Sequence, residues 1–364
     1  MGKKAVLFLM IFLSLIGISY ADEEDLIKAE ILEIEEYSSE GIPKTKVKAR
    51  ILEGEYKGKI VNIEYIPIEY SSNNYKLVKG TKILIKLDFH ESGGVKARII
   101  NISREDHLKI LGMIFLASVI LFGGIKGILS VASLGITGII IVKIMIPMIL
   151  DGHSPMLVAV VSTVIIILIS FVLISGFTRK SLVAILGTVG GTITAGILAK
   201  IFTDLCAITG FGSEEVNVLI RHMDVVIDYR GLYLSGVLIG AIGVVMDVSM
   251  SITSMIFELK AKNPNIGFGG LVESGLKVGR DIMATMVNTL VLAYVGGAMP
   301  VILVLYFMNL PFNSLVSTEI LATEIIRSLC GSVGLILTIP FTSIIAGMMV
   351  PDKKYIKRRY RYRK

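Results

Sequence analysis

Residues 236–258 read GVLIGAIGVVMDVSMSITSMIFE. Here Gly236, Gly240, Gly243, Asp247, Ser251, Ser254 and Glu258 recur at intervals of three and four. A helix therefore places them on one face, with apolar side chains filling the rest. The run is long enough to cross a bilayer, which takes about 20 residues. Gly236 and Gly240 form a GxxxG pair that lets another backbone approach closely. Towards Glu258 the same face turns acidic. One helix thus combines a membrane span, a packing surface and a carboxylate at membrane depth.

The whole chain fits that reading. Of 364 residues, 53% are hydrophobic and 18% charged, against about 25% charged in soluble domains. A soluble enzyme is excluded and an α-helical integral membrane bundle is expected. Apolar runs of spanning length are Leu108–Gly124, Ile128–Leu150, Pro155–Phe177, Ser181–Phe202, Leu232–Ile252, Ile282–Met308 and Cys330–Val350, which makes about seven transmembrane helices across 108–350. Residues 1–21 have a basic start, an apolar core and small residues before Asp22, the pattern of a signal peptide or a signal anchor. Either places residue 22 outside.

Orientation follows from the basic residues. Expected inner loops and the tail hold fifteen Lys/Arg, and outer loops hold Arg221, Arg230 and Arg327. The positive-inside rule then puts the C-terminus in the cytoplasm. Eight of those cations lie in the tail, 351–364, so the net charge of +7 is local. Such a tail suits anionic lipid headgroups, and no nucleic-acid partner is called for.

Residues 22–107 contain 14 Lys/Arg and 17 Asp/Glu and resemble a small extracytoplasmic all-β domain. Period-two alternation appears in Val47-Ala49-Ile51, Val61-Ile63-Tyr65, Ile83-Ile85-Leu87-Phe89 and Val95-Ala97-Ile99, with a turn at Glu91–Gly94. Leu26–Glu36 supplies a fifth strand. A small barrel or sandwich, OB-like in one form, accommodates these strands. Its expected role is structural or docking.

A second polar stripe lies on the sixth run, where Asp281, Thr285 and Asn288 share one face. Asp247 lies about 16 Å from Glu258 along a helix, and Asn288 about 10 Å from Asp281. Asp247 and Asn288 thus reach similar depth. A carboxylate in the bilayer costs on the order of 2.5–3.5 kcal/mol and normally faces the bundle interior or water. Two readings stay open for Asp247: a group coupling an ion or proton, or an interhelical hydrogen bond to Ser or Asn. Gly187-xxx-Gly191 can meet Gly236-xxx-Gly240. Two amphipathic stretches, Val216–Tyr229 and Ser317–Leu329, suit the outer interface. Gly296, Gly297 and Pro300 in the sixth run and Pro340 in the seventh are candidate helix breaks of the kind transporters use at mid-membrane.

No enzyme signature stands in the chain. Cys206 and Cys330 form no CxxC pair, and His90, His107, His153 and His222 lack metal-ligand spacing. Around Gly270–Lys277, Leu276 separates Gly from Lys and Val278 replaces Ser/Thr, so a P-loop is rejected. No catalytic residue, metal or cofactor is expected.

Residues 235–299 resemble the YibE/F-like family of bacterial multi-pass membrane proteins. The resemblance is carried by Gly240-Ala241-Ile242-Gly243, Met246–Ile252, Glu258-Leu259, Asn263-Pro264, Gly279–Met283, Asn288–Leu290 and Leu292–Gly297. The resemblance implies a plasma-membrane protein, often encoded beside a paired homologue, without a settled activity. Two functions are then expected. One is a permease-like transporter of an unknown small solute or ion, its path between spans five, six and seven. The other is a non-transporting assembly or sensor subunit that works with a paired membrane homologue or as a homo-oligomer.

Overall fold

The computed structural model describes residues 26–39, 42–65, 77–89, 95–212, 214–222 and 227–351. The expected signal segment, the turn at 91–94 and the basic tail from 352 lie outside the described residues. The chain divides into two compact units, 1–127 and 128–364.

The first unit holds a five-stranded antiparallel sheet: β1 (Leu26–Ser39), β2 (Ile42–Ile51), β3 (Ile60–Tyr65), β4 (Lys82–Phe89) and β5 (Val95–Ile102), in the order β3-β2-β1-β4-β5. Alternation dictates the faces. Ile31, Val47, Ala49, Ile51, Ile63, Ile83 and Ile85 are fully buried, while Lys48 and Arg50 between them are not. The 14-residue β1 serves two partners, pairing Ile27 with Ile85 and Ile34 with Val47. A register shift between Ile31 and Glu33 bends it between them. The edges β3 and β5 approach within 8 Å without a ladder, so the sheet curls into a half-barrel.

Strand β5 leads into α1 (Glu105–Ile139). Lys82 Nζ donates to Asp106 at 2.6 Å, and Lys28 pairs with Glu105, tying the sheet to the first helical turn. The helical run Glu105–Leu150 has 46 residues, about 69 Å if straight and more than twice a bilayer core. It is broken at Gly124, where φ 55 and ψ −134 suit glycine alone. The break falls on the last residue of the run expected at 108–124, ahead of the run expected at 128–150.

In the second unit, a π-helical turn (Ile140–Met145) passes into α2 (Ile146–Leu150). There follow α3 (Pro155–Ser175), α4 (Arg179–Leu205), α5 (Glu214–His222), α6 (Tyr229–Lys262), α7 (Phe268–Gly297), α8 (Met299–Phe307), α9 (Phe312–Val316) and α10 (Glu319–Met349). Among the described residues six helices are long and apolar enough to cross a membrane: the Glu105–Leu150 run, α3, α4, α6, α7 and α10.

Helices α4, α6 and α10 form the centre. Val183, Val245, Val248, Ile252, Ile256, Leu335 and Ile339 bury their side chains together there. The close approach comes from small residues. A Cβ at Gly187 or Gly191 would collide with Thr342 or Thr338 of α10, and one at Gly334 would lie 2.9 Å from the Gly191 carbonyl. The expected pairing of Gly187 and Gly191 with Gly236 and Gly240 is therefore corrected. The α4 glycines meet α10 and Ser249, and Ser249 lies nine residues beyond Gly240, about 180° around α6 at 100° per residue.

Two further expectations change. The stretch Ser317–Leu329 is not a separate interfacial segment, because residues from Glu319 onward form the first turns of α10, continuous with the seventh run. Pro340 does not break that helix; packing against α4, α6 and α7 holds α10 together through the lost hydrogen bond. The sixth run does divide: α7 stops at Gly297, Ala298 takes φ −85 and ψ 0, and α8 starts at Met299.

Candidate functional site on helices 6, 7 and 10

Helix α6 has two chemically opposite faces. Val237, Ala241, Val245, Val248, Ile252 and Ile256 are buried, whereas Gly236, Gly240, Gly243, Asp247, Ser251 and Glu258 are exposed. The helical period of the sequence produces this division directly. Around Gly243 the face is open: a Cβ there would touch nothing within 4 Å.

The register of α6 against α7 is set by two contacts. The Tyr294 hydroxyl rests on Gly240, and Ile256 lies on Gly275, so the helices run antiparallel. Counting seven residues along each helix from the Gly240–Tyr294 contact brings Asp247 level with Val287, beside Asn288. Asp281, Thr285 and Asn288 are exposed on α7 as Asp247 and Ser251 are on α6. No hydrogen bond joins Asp247 to Ser or Asn among the described residues. The Thr285 hydroxyl donates to the Ile282 carbonyl of its own helix at 2.9 Å. Glu258 stands apart from this group and pairs with Lys262 at 2.9 Å on the exposed end of α6.

At the other end of the glycine face lies a cavity of about 800 Å³, walled by α6, α7, α8 and α10. Its polar centre is Arg327. The guanidinium bonds Glu324 at 3.1 Å and lies 5.5 Å from the centre of the Tyr233 ring. Tyr233 is oriented by donating its hydroxyl to the Thr323 carbonyl at 2.7 Å. Gly236 faces Arg327 with no side chain of its own. Two buried polar atoms of the lining, Arg327 Nε and the Tyr294 hydroxyl, have no hydrogen-bond partner.

The segment before α5 completes one wall. Glu319, at the start of α10, accepts from the Thr209 amide at 2.9 Å, the Thr209 hydroxyl at 2.8 Å and the Gly210 amide at 2.7 Å. Gly210 has φ 86 and lies against the Tyr229 backbone, where a side chain would be both strained and crowded. The α7–α8 break forms another wall through Gly297, Ala298, Pro300 and Val301.

Sequence reading located the α6 and α7 polar stripes but not this cavity. Arg327 stands there as an outer-loop cation within the amphipathic stretch Ser317–Leu329. Its signal was an i,i+3 pair with Glu324 that runs without interruption into an apolar helix.

The model of the YibE/F-like protein family matches residues 111–352. The chain belongs to that family. In this YibE/F-like protein the matched segment runs from α1 past the end of α10, so it includes the α6–α7 stripe and the Arg327 cavity, and it leaves out the β-sheet. Family membership and the six long apolar helices mark it as a membrane protein. No curated protein and no solved structure matches the chain.

Proposed function

We propose that this YibE/F-like protein is a permease-like transporter of the plasma membrane. A small solute or ion would pass along α6, α7 and α10, with Asp247 as the coupling carboxylate. The observation that supports this reading is that Asp247 and Ser251 are exposed on α6 while Thr285 and Asn288 are exposed on α7 at similar depth. The α6 face leads by way of Gly243, Gly240 and Gly236 to the Arg327 cavity. A charged group on an open face inside hydrocarbon costs several kcal/mol, and a water-lined path removes that cost.

The same reading takes seven spans, with the Gly124 break separating the first two. It places the β domain outside and the C-terminus in the cytoplasm. The sheet is read as OB-like, supported by its strand order and by the approach of β3 to β5. The test is uptake into proteoliposomes under an imposed pH gradient, with a panel of small solutes, for wild type and Asp247→Asn. Gradient-driven uptake that the variant loses supports the reading; uptake unchanged by the variant removes Asp247 from the mechanism.

A second reading is favoured by one observation, the open helix surface at Gly243, where a Cβ would meet nothing within 4 Å. That surface suits the helix of a paired homologue or a second copy, and Asp247 would then bond across a subunit interface in an assembly or sensor complex. Cross-linking of cysteines placed at 243 in native membranes separates the two readings: efficient cross-links point to the subunit role.

A further inference from the structure

We propose that the cavity at Arg327 is a binding site for an oxyanion group, such as a carboxylate or phosphate. The inference rests on the transport reading only for what happens to the solute afterwards; binding itself is an equilibrium property of the site.

Three features converge. First, Arg327 brings a permanent positive charge to the wall of a cavity of about 800 Å³, within the size range of small-molecule sites. Glu324 pairs with Nη1 at 3.1 Å, and a guanidinium carries five N–H donors in a fork suited to oxyanions. Secondly, the polar network of the chain's own groups is incomplete. Arg327 Nε and the Tyr294 hydroxyl are both screened from water and both unbonded, an arrangement that native proteins rarely keep without a purpose. Both residues line this one cavity.

Thirdly, the geometry holds Arg327 in place. The Tyr233 ring supports the guanidinium from α6, and the bare backbone at Gly236 leaves room beside it. Glu324 is then a competitor: its carboxylate occupies part of the guanidinium, and an incoming oxyanion exchanges with it or shares it.

The test uses the full chain in nanodiscs of neutral lipid, with acetate and inorganic phosphate as probes and chloride and glucose as controls at matched ionic strength. Binding is read by the shift of the melting midpoint and by equilibrium dialysis of labelled phosphate and acetate. A parallel set of nanodiscs contains phosphatidylglycerol, whose headgroup presents the same chemistry from the lipid. Saturable stabilisation by acetate, phosphate or phosphatidylglycerol is expected, absent in Arg327→Gln, retained or tightened in Glu324→Gln, and weakened about five-fold, the worth of one hydrogen bond, in Tyr294→Phe. Response to phosphatidylglycerol alone assigns the oxyanion to a lipid headgroup. Should Arg327→Gln not fold, Gly236→Leu, which fills the space beside the guanidinium, is expected to abolish binding on an intact fold.

No saturable response to any of the three, or an equal response in Arg327→Gln or Gly236→Leu, overturns the proposal. Binding that survives while Asp247-dependent uptake fails removes the transport reading and leaves this one standing.

Discussion

Thr342 of α10 donates to the Ser249 hydroxyl of α6 at 3.1 Å, and Ser249 donates in turn to the Ala184 carbonyl of α4 at 2.8 Å. One buried relay therefore joins the three central helices. It lies on the opposite side of α6 from Gly240.

The packed side should not accept volume. A Cβ at Gly191 collides with Thr338, whereas one at Gly243 meets nothing within 4 Å. Gly191→Val is expected to lower stability by about 3 kcal/mol or more, the upper range for overpacking, and Gly243→Ala to leave it nearly unchanged. Melting of both variants in detergent checks the contrast; equal effects would place the helix contacts elsewhere.

Glu319 should control the segment at Thr209 and Gly210. Its carboxylate accepts two backbone amides and a hydroxyl from them. Charge-assisted bonds of this kind contribute about 1.5–3 kcal/mol each at most. Glu319→Gln is expected to raise amide exchange at residues 207–212 by ten-fold or more while α4 and α6 stay protected. Exchange unchanged at Gly210 would mean that the carboxylate holds nothing.

The β domain should show a pH dependence from its lysine straps. The hydrogen bond to Glu105 raises the pKa of Lys28, and that to Asp106 raises Lys82, each above the ordinary 10.5. A raised folded value means that stability is present below the unfolded pKa and is lost as pH rises through the folded one. Glu33 is lowered by the hydrogen bond from Lys48, so its contribution is present above the ordinary 4.5 and is lost as pH falls through the folded value. These groups are largely exposed and their effects small. Lys28→Met with Lys82→Met is expected to lower the melting midpoint slightly at pH 8, by an amount that shrinks as pH rises past 10.5. A difference that does not shrink would assign the effect to packing.

Much of this was legible in the sequence, for physical reasons. Alternation at period two marked four of the five strands, because a half-buried strand must alternate. The three- and four-residue spacing from Gly236 to Glu258 marked a single helical face, and that face is open. What could not be read is which helix a small residue meets. Gly187 and Gly191 fit any close neighbour, and only the fold shows that Thr338 and Thr342 of α10 take that place. Lys260 looked like a loop cation, yet it is buried and its ammonium donates to the Ile266 carbonyl at 2.9 Å, fastening the α6–α7 turn. The Arg327 cavity joins side chains from distant parts of the chain, and no local pattern announces such a meeting.

Transport along α6 requires that its polar face border water within the membrane. The most direct measurement is labelling of single cysteines at 243, 247 and 251, with Cys206 and Cys330 replaced by Ser, by a membrane-impermeant maleimide in proteoliposomes. Ile193, exposed on apolar α4, serves as the lipid-facing reference. Labelling at 247 and 251 well above that at 193, slowed by occupants of the Arg327 cavity, is the expected result. Labelling at 247 no faster than at 193 would contradict a water-lined path along α6.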